Sequence, residues 1–170
     1  MKRLLYFFLA AFVVATFSSC SRSEKGSAGG SGDPAPAFVL STINNAKMSL
    51  SDYRGRVVMV EFFASWCPPC QMVAPEVKSI YEKYKDKGFV VLAVSIDEGP
   101  NALPAVSHFI KDYGIPYPVL LDDGTVSRKY QVISIPTSFL VDKQGKLRNK
   151  HIGLLPDFAN TLSREIDILL

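Results

Sequence analysis

The sequence predicts one α/β domain built on a mixed sheet with helices on both sides, and three patterns predict it. Two runs, Val57–Phe63 and Phe89–Ile96, are almost wholly apolar and rich in β-branched and aromatic residues, as strands covered on both faces read. The segments that follow them repeat their apolar residues at helical spacing. Near the C-terminus, Asp142-Lys143-Gln144-Gly145 is a turn that joins two short strand-like runs as a hairpin. Strand, helix, strand, helix, then hairpin and helix is the order of a mixed sheet flanked by helices.

The chain has 170 residues and a formal charge of +3, which suits a single domain without visible repeats. It opens with Lys2 and Arg3, an uncharged apolar run from Leu4 to Phe17, and Ser18-Ser19-Cys20. This is the layout of an export signal over residues 1–19. The run is shorter than the roughly 20 apolar residues of a membrane-spanning helix, and an uncleaved anchor is the alternative. Cys20 after small residues resembles the lipobox of bacterial lipoproteins, with Phe17 in place of the usual leucine. The resemblance implies acylation of Cys20 as the mature N-terminus. Lipidation also suits the cysteine count, because it leaves one clean pair and no odd thiol in an oxidising compartment. The competing reading is an incidental signal-peptide cysteine. Loss of residues 1–19 reduces the charge to +1, so no basic patch for nucleic acid is expected. Residues 20–36 are rich in Ser, Gly and Pro without apolar periodicity and read as a flexible tether, spanning at most about 3.3 Å per residue. The folded domain is expected over residues 37–170.

Within that domain, Glu61 is the one polar exception in the first strand. The segment from Gln71 to Lys87 carries Val73, Val77, Ile80, Tyr81 and Tyr84 on one helical face, with Glu76, Lys78, Glu82, Lys83 and Lys85 opposite. Asn101 to Tyr113 reads as a second helix with Leu103, Val106, Phe109 and Ile110 facing inward. A short strand at Val119–Leu121 and a short helix near Val126 to Tyr130 follow. Ser138–Val141 and Lys146–Ile152 form the hairpin. Pro156 and Asp157 open a last helix that turns Phe158, Leu162, Ile166 and Leu169 to the sheet. Phe62, Phe63, Phe89, Phe109 and Phe139 read as core.

The chemistry concentrates in Trp66-Cys67-Pro68-Pro69-Cys70, where the first strand gives way to a helix. At a helix start the backbone N–H groups lack intrahelical partners and the macrodipole is positive. A thiolate at Cys67 is therefore stabilised, and its pKa falls below the free value of roughly 8.5. Pro68 and Pro69 suit the first turn, where a missing N–H costs little. A structural zinc site is disfavoured, since only His108 and His151 remain as further ligands and neither lies near the cysteines in sequence. A purely structural disulfide is disfavoured too, because so short a loop constrains little chain entropy.

In order along the chain, Ala35-Pro36-Ala37-Phe38-Val39-Leu40, Leu50 with Gly55, the Trp66–Cys70 segment and Ile135-Pro136-Thr137 resemble the thioredoxin superfamily, in its membrane-tethered TlpA/ResA-like branch. The resemblance covers residues 35–170 and implies a thioredoxin-like fold, with the branch's extra helix and strand between Asp97 and Tyr117. By that resemblance Cys67 is the attacking thiolate and the more exposed sulfur, and Cys70 the resolving thiol. Glu61 stands where thioredoxins bury an aspartate, with a raised pKa and a role in moving the Cys70 proton. Pro136 matches the family's cis-proline, which frees the Ile135 backbone to pair with a substrate chain, and Trp66 is a contact surface beside Cys67. Pro68 and Pro69 complete the expected substrate-contacting set. Pro75 matches the family's kinked helix. Val73 stands where cytochrome c maturation members carry glutamate, so the substrate is not narrowed to apocytochrome c.

The resemblance implies an extracytoplasmic thiol-disulfide oxidoreductase that reduces protein disulfides. It is expected to be monomeric and tethered to a bacterial membrane, facing the periplasm if there are two membranes. Its redox group is the Cys67/Cys70 pair, with no cofactor and no metal, and its electrons are expected from a transmembrane thiol donor of the DsbD or CcdA type. Two other functions share the fold. A peroxiredoxin should carry a Pro-x-x-x-Thr pattern where this chain has Val60 and Ala64. A copper-binding assembly factor would use both cysteines and a distant histidine, here His151, with its cysteines spaced one residue wider. His108 and His151 otherwise read as structural or solvated.

Overall fold

A computed structural model describes residues 32–170. The expected export signal, Cys20 and most of the expected tether lie outside the described residues. Seven strands form one sheet: β1 (Val39–Thr42), β2 (Lys47–Ser49), β3 (Val57–Phe63), β4 (Phe89–Ser95), β5 (Val119–Leu121), β6 (Thr137–Val141) and β7 (Leu147–Ile152). Four helices accompany them: α1 (Pro68–Tyr84), α2 (Ala102–Tyr113), α3 (Thr125–Lys129) and α4 (Phe158–Leu169). The order across the sheet is β2-β1-β5-β4-β3-β6-β7, with β3, β4 and β5 parallel and the outer pairings antiparallel. This is the thioredoxin-like α/β fold that the sequence predicts.

β3 and β4 pair over their whole length, from Val57 opposite Phe89 to Phe63 opposite Ser95, and every residue of both is buried. Their alternating side chains build two cores. On one face Val57, Met59, Phe63, Val91 and Ala93 pack against α1, α2 and α4. On the other, Val58, Val60, Phe62, Leu92 and Val94 meet Val126 and Tyr130, together with Phe38, Leu40 and Leu50 from the leading segment. Helices therefore cover both faces, unequally.

The second core is held by an aromatic cluster. Phe62 lies 5.3 Å from Tyr130 and 6.0 Å from Phe139, and Tyr130 lies 5.0 Å from Phe139 between ring centroids. Offset and edge-on pairs of this kind add to what area burial alone supplies. The Tyr130 hydroxyl donates to the Pro36 carbonyl at 2.9 Å, so the cluster also fastens the start of the domain.

Several boundaries differ from the sequence reading. Gly32 N–H donates to Leu147 O, Leu147 N–H to Asp33 O and Ala35 N–H to Gly145 O, so backbone pairing begins before Ala37. The β1–β2 hairpin was not expected. Its strands are too short to display a period, and its turn is organised by Thr42 Oγ1, which accepts from the N–H groups of Asn44 and Ala46. α1 starts at Pro68 and passes through Pro75, although proline cannot donate to the carbonyl one turn back. On α2, Val106 and Phe109 are buried as expected, whereas Leu103 is 45% exposed.

Phe62→Ala would hollow the second core at its centre. A loss of about 3–5 kcal/mol is expected, read as a lower urea midpoint at unchanged slope for the disulfide-bonded protein.

Candidate active site

β3 ends at Phe63 beside the end of β4, and the chain must turn at once to enter α1. Asp97, just past β4 and itself buried, holds that turn. Its carboxylate accepts the Ser65 N–H at 2.9 Å, the Ser65 hydroxyl at 2.5 Å and the Ser95 hydroxyl at 2.8 Å. Gln71 Nε2 reaches back to Ser65 O at 2.9 Å. Asp97 was not singled out from the sequence. Its place at the carboxyl end of a central parallel strand, where sites on such sheets gather, is the signal that could have found it.

The braced turn delivers Cys67 to the N-cap of α1 in extended conformation, with Pro68 and Pro69 as the first two helical residues. Cys67 and Cys70 are joined by a disulfide. The Cys70 N–H donates to Cys67 Sγ at 3.3 Å. One of the helix's otherwise unpaired N–H groups thus points at the sulfur that carries the charge when the bond opens. Both cysteines are buried in the disulfide form, 4% exposed at Cys67 and 2% at Cys70, a far smaller contrast than the sequence reading implies. Trp66, by contrast, is 66% exposed and stands beside them.

Across from the disulfide, the Ile135–Pro136 bond is cis, and the Ile135 carbonyl oxygen lies 3.9 Å from Cys67 Sγ. The Pro136 carbonyl accepts the Gly153 N–H at 2.8 Å, which docks the end of β7 against this loop. Cys67, Pro68, Trp66 and Ile135 therefore share one end of the molecule. His108 is exposed on α2 with Asp112 at 3.2 Å, and lines a groove with Ser65, Trp66 and Gln71 beside this end of the molecule. Among the described residues no group of three or more His, Cys, Asp or Glu side chains could hold a metal ion.

Glu61 lies below the disulfide on the α1 face of β3. It lines a cavity with Cys70, Tyr117, Phe63 and Phe109 whose free space, about 10 Å³, is near the least that admits one water. Burial pushes its carboxyl from the ordinary 4.5 up to about 8. Tyr117 is also held in its protonated form, by burial first and then by the Glu61 charge. A carboxyl tuned to this range can take a proton from a neighbouring thiol and give it up again near neutral pH.

Three likenesses to known proteins bear on this arrangement. The AhpC/TSA family matches residues 31–150. A thiol-disulfide oxidoreductase ResA of Bacillus cereus is 40% identical over 123 residues, 72% of this chain and 69% of that protein. A crystal structure described as a putative thiol:disulfide interchange protein DsbE from Chlorobium tepidum superposes with a TM-score of 0.75 at 36% identity, covering 81% of this chain and 96% of that one.

The raised Glu61 carboxyl has a consequence for stability. The folded state holds the proton more tightly than the unfolded chain, so the stabilisation is complete below the unfolded value and drains away as pH climbs to about 8. Glu61→Gln is expected to lack this decline. Denaturation of both disulfide-bonded proteins across pH should show the wild type losing ground relative to the variant between about 4.5 and 8. Parallel curves would contradict the assignment.

Proposed function

The chain belongs to the AhpC/TSA family and is a thiol-disulfide oxidoreductase of the ResA/DsbE type, and from that premise we propose that it reduces disulfides of extracytoplasmic proteins while tethered to a membrane. The observation that carries the chemistry is the Cys67–Cys70 disulfide at the start of α1, with a backbone N–H aimed at Cys67 Sγ and a buried carboxyl beside Cys70.

In the reduced protein the Cys67 thiolate, held by the helix N-terminus, attacks one sulfur of a substrate disulfide and the other sulfur leaves as a thiolate. The substrate stays bound through Cys67 as a mixed disulfide. Its chain lies along Ile135, whose carbonyl faces the sulfur, in the manner of an added strand, with Trp66, Pro68, Pro69 and Pro136 as further contacts. Glu61 takes the proton of Cys70. The Cys70 thiolate then attacks Cys67, closes the disulfide and frees the reduced substrate. The only redox group in this scheme is the cysteine pair, and no metal or other cofactor enters it.

The reductive direction requires electrons from outside the chain, supplied by a transmembrane thiol donor. Tethering rests on the apolar N-terminal run and Cys20, read as a lipid-anchor cysteine, with a monomeric domain held on the periplasmic side if there are two membranes. No helix among the described residues is long and apolar enough to cross a membrane. The peroxidase alternative is weaker, because Cys67 closes onto a cysteine three residues away and Val60 and Ala64 occupy the pattern a peroxidatic cysteine needs. The copper reading is weaker as well, since His151 is engaged by Glu165 at 2.7 Å.

Cys67→Ser is expected to abolish exchange with a disulfide-bonded protein substrate, whereas Cys70→Ser should accumulate a mixed disulfide visible on a non-reducing gel. Exchange that survives in Cys67→Ser would end the assignment. The reduction potential tests direction: a value near or below about −250 mV marks a reductant, and one near −120 mV an oxidant.

A further inference from the structure

The cavity beside Glu61 has room for about one water, a narrow route for returning its proton to solvent. It is walled mainly by Phe63, Ala74, Ala93, Phe109, Ile115 and Val119. The sheet register offers a second direction. Glu61 is directly opposite Ser138 on β6, and Ser138 is directly opposite His151 on β7. Directly opposed residues of antiparallel strands point to the same face, with Cβ atoms about 4.5–5.5 Å apart. That face is fixed here, because Leu140, two residues from Ser138, packs in the core under α1 and α4, and His151 Nε2 meets Glu165 of α4 at 2.7 Å. A polar row therefore crosses the sheet from the buried Glu61 to Glu165, whose side chain is 20% exposed.

The middle of the row is anomalous. Ser138 Oγ is the one buried side-chain polar atom among the described residues without a hydrogen-bond partner. An unpaired buried hydroxyl costs stability, and alanine or valine would fill a strand position better. Its neighbour Thr137 is also buried but donates its hydroxyl to Ser134 O at 2.7 Å, and the rest of the strand, Phe139, Leu140 and Val141, is apolar.

We propose that Ser138 and His151 carry the proton that Glu61 takes from Cys70 across the sheet to Glu165 and water. This rests on the oxidoreductase reading above and adds the return path to it. As Cys70 sulfur attacks Cys67, the bond between Cys67 and the substrate sulfur breaks, and the substrate leaves as a thiolate that is protonated from water. The protein dithiol has then given up two electrons and two protons. One of those protons resides on Glu61. Ser138 Oγ bonds neither neighbour in the disulfide form, so the hydroxyl must first turn between Glu61 and His151; the proton then passes to it as it donates its own to one ring nitrogen of His151, and the other ring nitrogen hands a proton to Glu165. A change of serine rotamer joins the steps. The titratable groups facing Glu61 are Cys70 from α1 and Tyr117 from the segment ahead of β5, while His151 is faced by Glu165 from α4. A cavity water beside Tyr117 is the competing exit.

The test uses full-length protein, reduced and mixed with excess small disulfide. The unimolecular closure of Cys67–Cys70 is followed through Trp66, the single tryptophan, over a range of pH. Ser138→Ala and His151→Ala are each expected to slow closure roughly tenfold, less than loss of a proton acceptor itself would. Imidazole in the buffer should restore His151→Ala, and Ser138→Ala should be no less stable than the wild type. The proposal is overturned if both variants close at the wild-type rate, if imidazole restores nothing, or if only Tyr117→Phe is slow. A wild type that never closes the disulfide would instead sink the oxidoreductase reading, and this path with it.

Discussion

The seven-residue parallel pairing of β3 with β4 is the constraint on which the site depends. Because the two strands end side by side, the chain leaving β3 and the chain leaving β4 emerge together, and Asp97 can hold Ser65 across the gap. That clamp sets where α1 begins, and so where Cys67 meets the positive end of a helix. Shifting the register by one residue would separate Asp97 from Ser65 and turn Glu61 to the opposite core.

Two opposed electrostatic effects act at the two ends of the disulfide site. The helix start favours negative charge at Cys67, and the buried floor of the site disfavours it at Glu61. Thiolate and neutral carboxyl can therefore coexist at one pH. A single environment would drive both groups the same way and leave no gradient for moving a proton between them.

Much of this was legible in the chain. The central strands, α1 and the cysteine pair are carried by local signals: long apolar runs, a sustained helical period and a proline-marked helix start. What escaped depends on tertiary register. β1 and β2 are too short to show a period, and Leu103 shares the helical phase of the buried Val106 yet stays largely exposed. Ser138 looks like an ordinary strand serine until its neighbours on β3 and β7 are known, and Asp97 looks like a loop aspartate until Ser65 is placed beside it. The relative exposure of the cysteines could not be read either, since it depends on how tightly the Ile135 loop closes over them.

The backbone contacts of Gly32, Asp33 and Ala35 are made at the Gly145–Leu147 end of the last hairpin, while the far end of β7 abuts the Pro136 loop. The strand between spans about 20 Å at 3.3 Å per residue. The molecule thus has a tail pole and a working pole. A pull on the N-terminal side would first meet the backbone bonds of Gly32, Asp33 and Ala35 to the hairpin, a strand's length away from the disulfide, so anchoring and docking draw on separate parts of the fold.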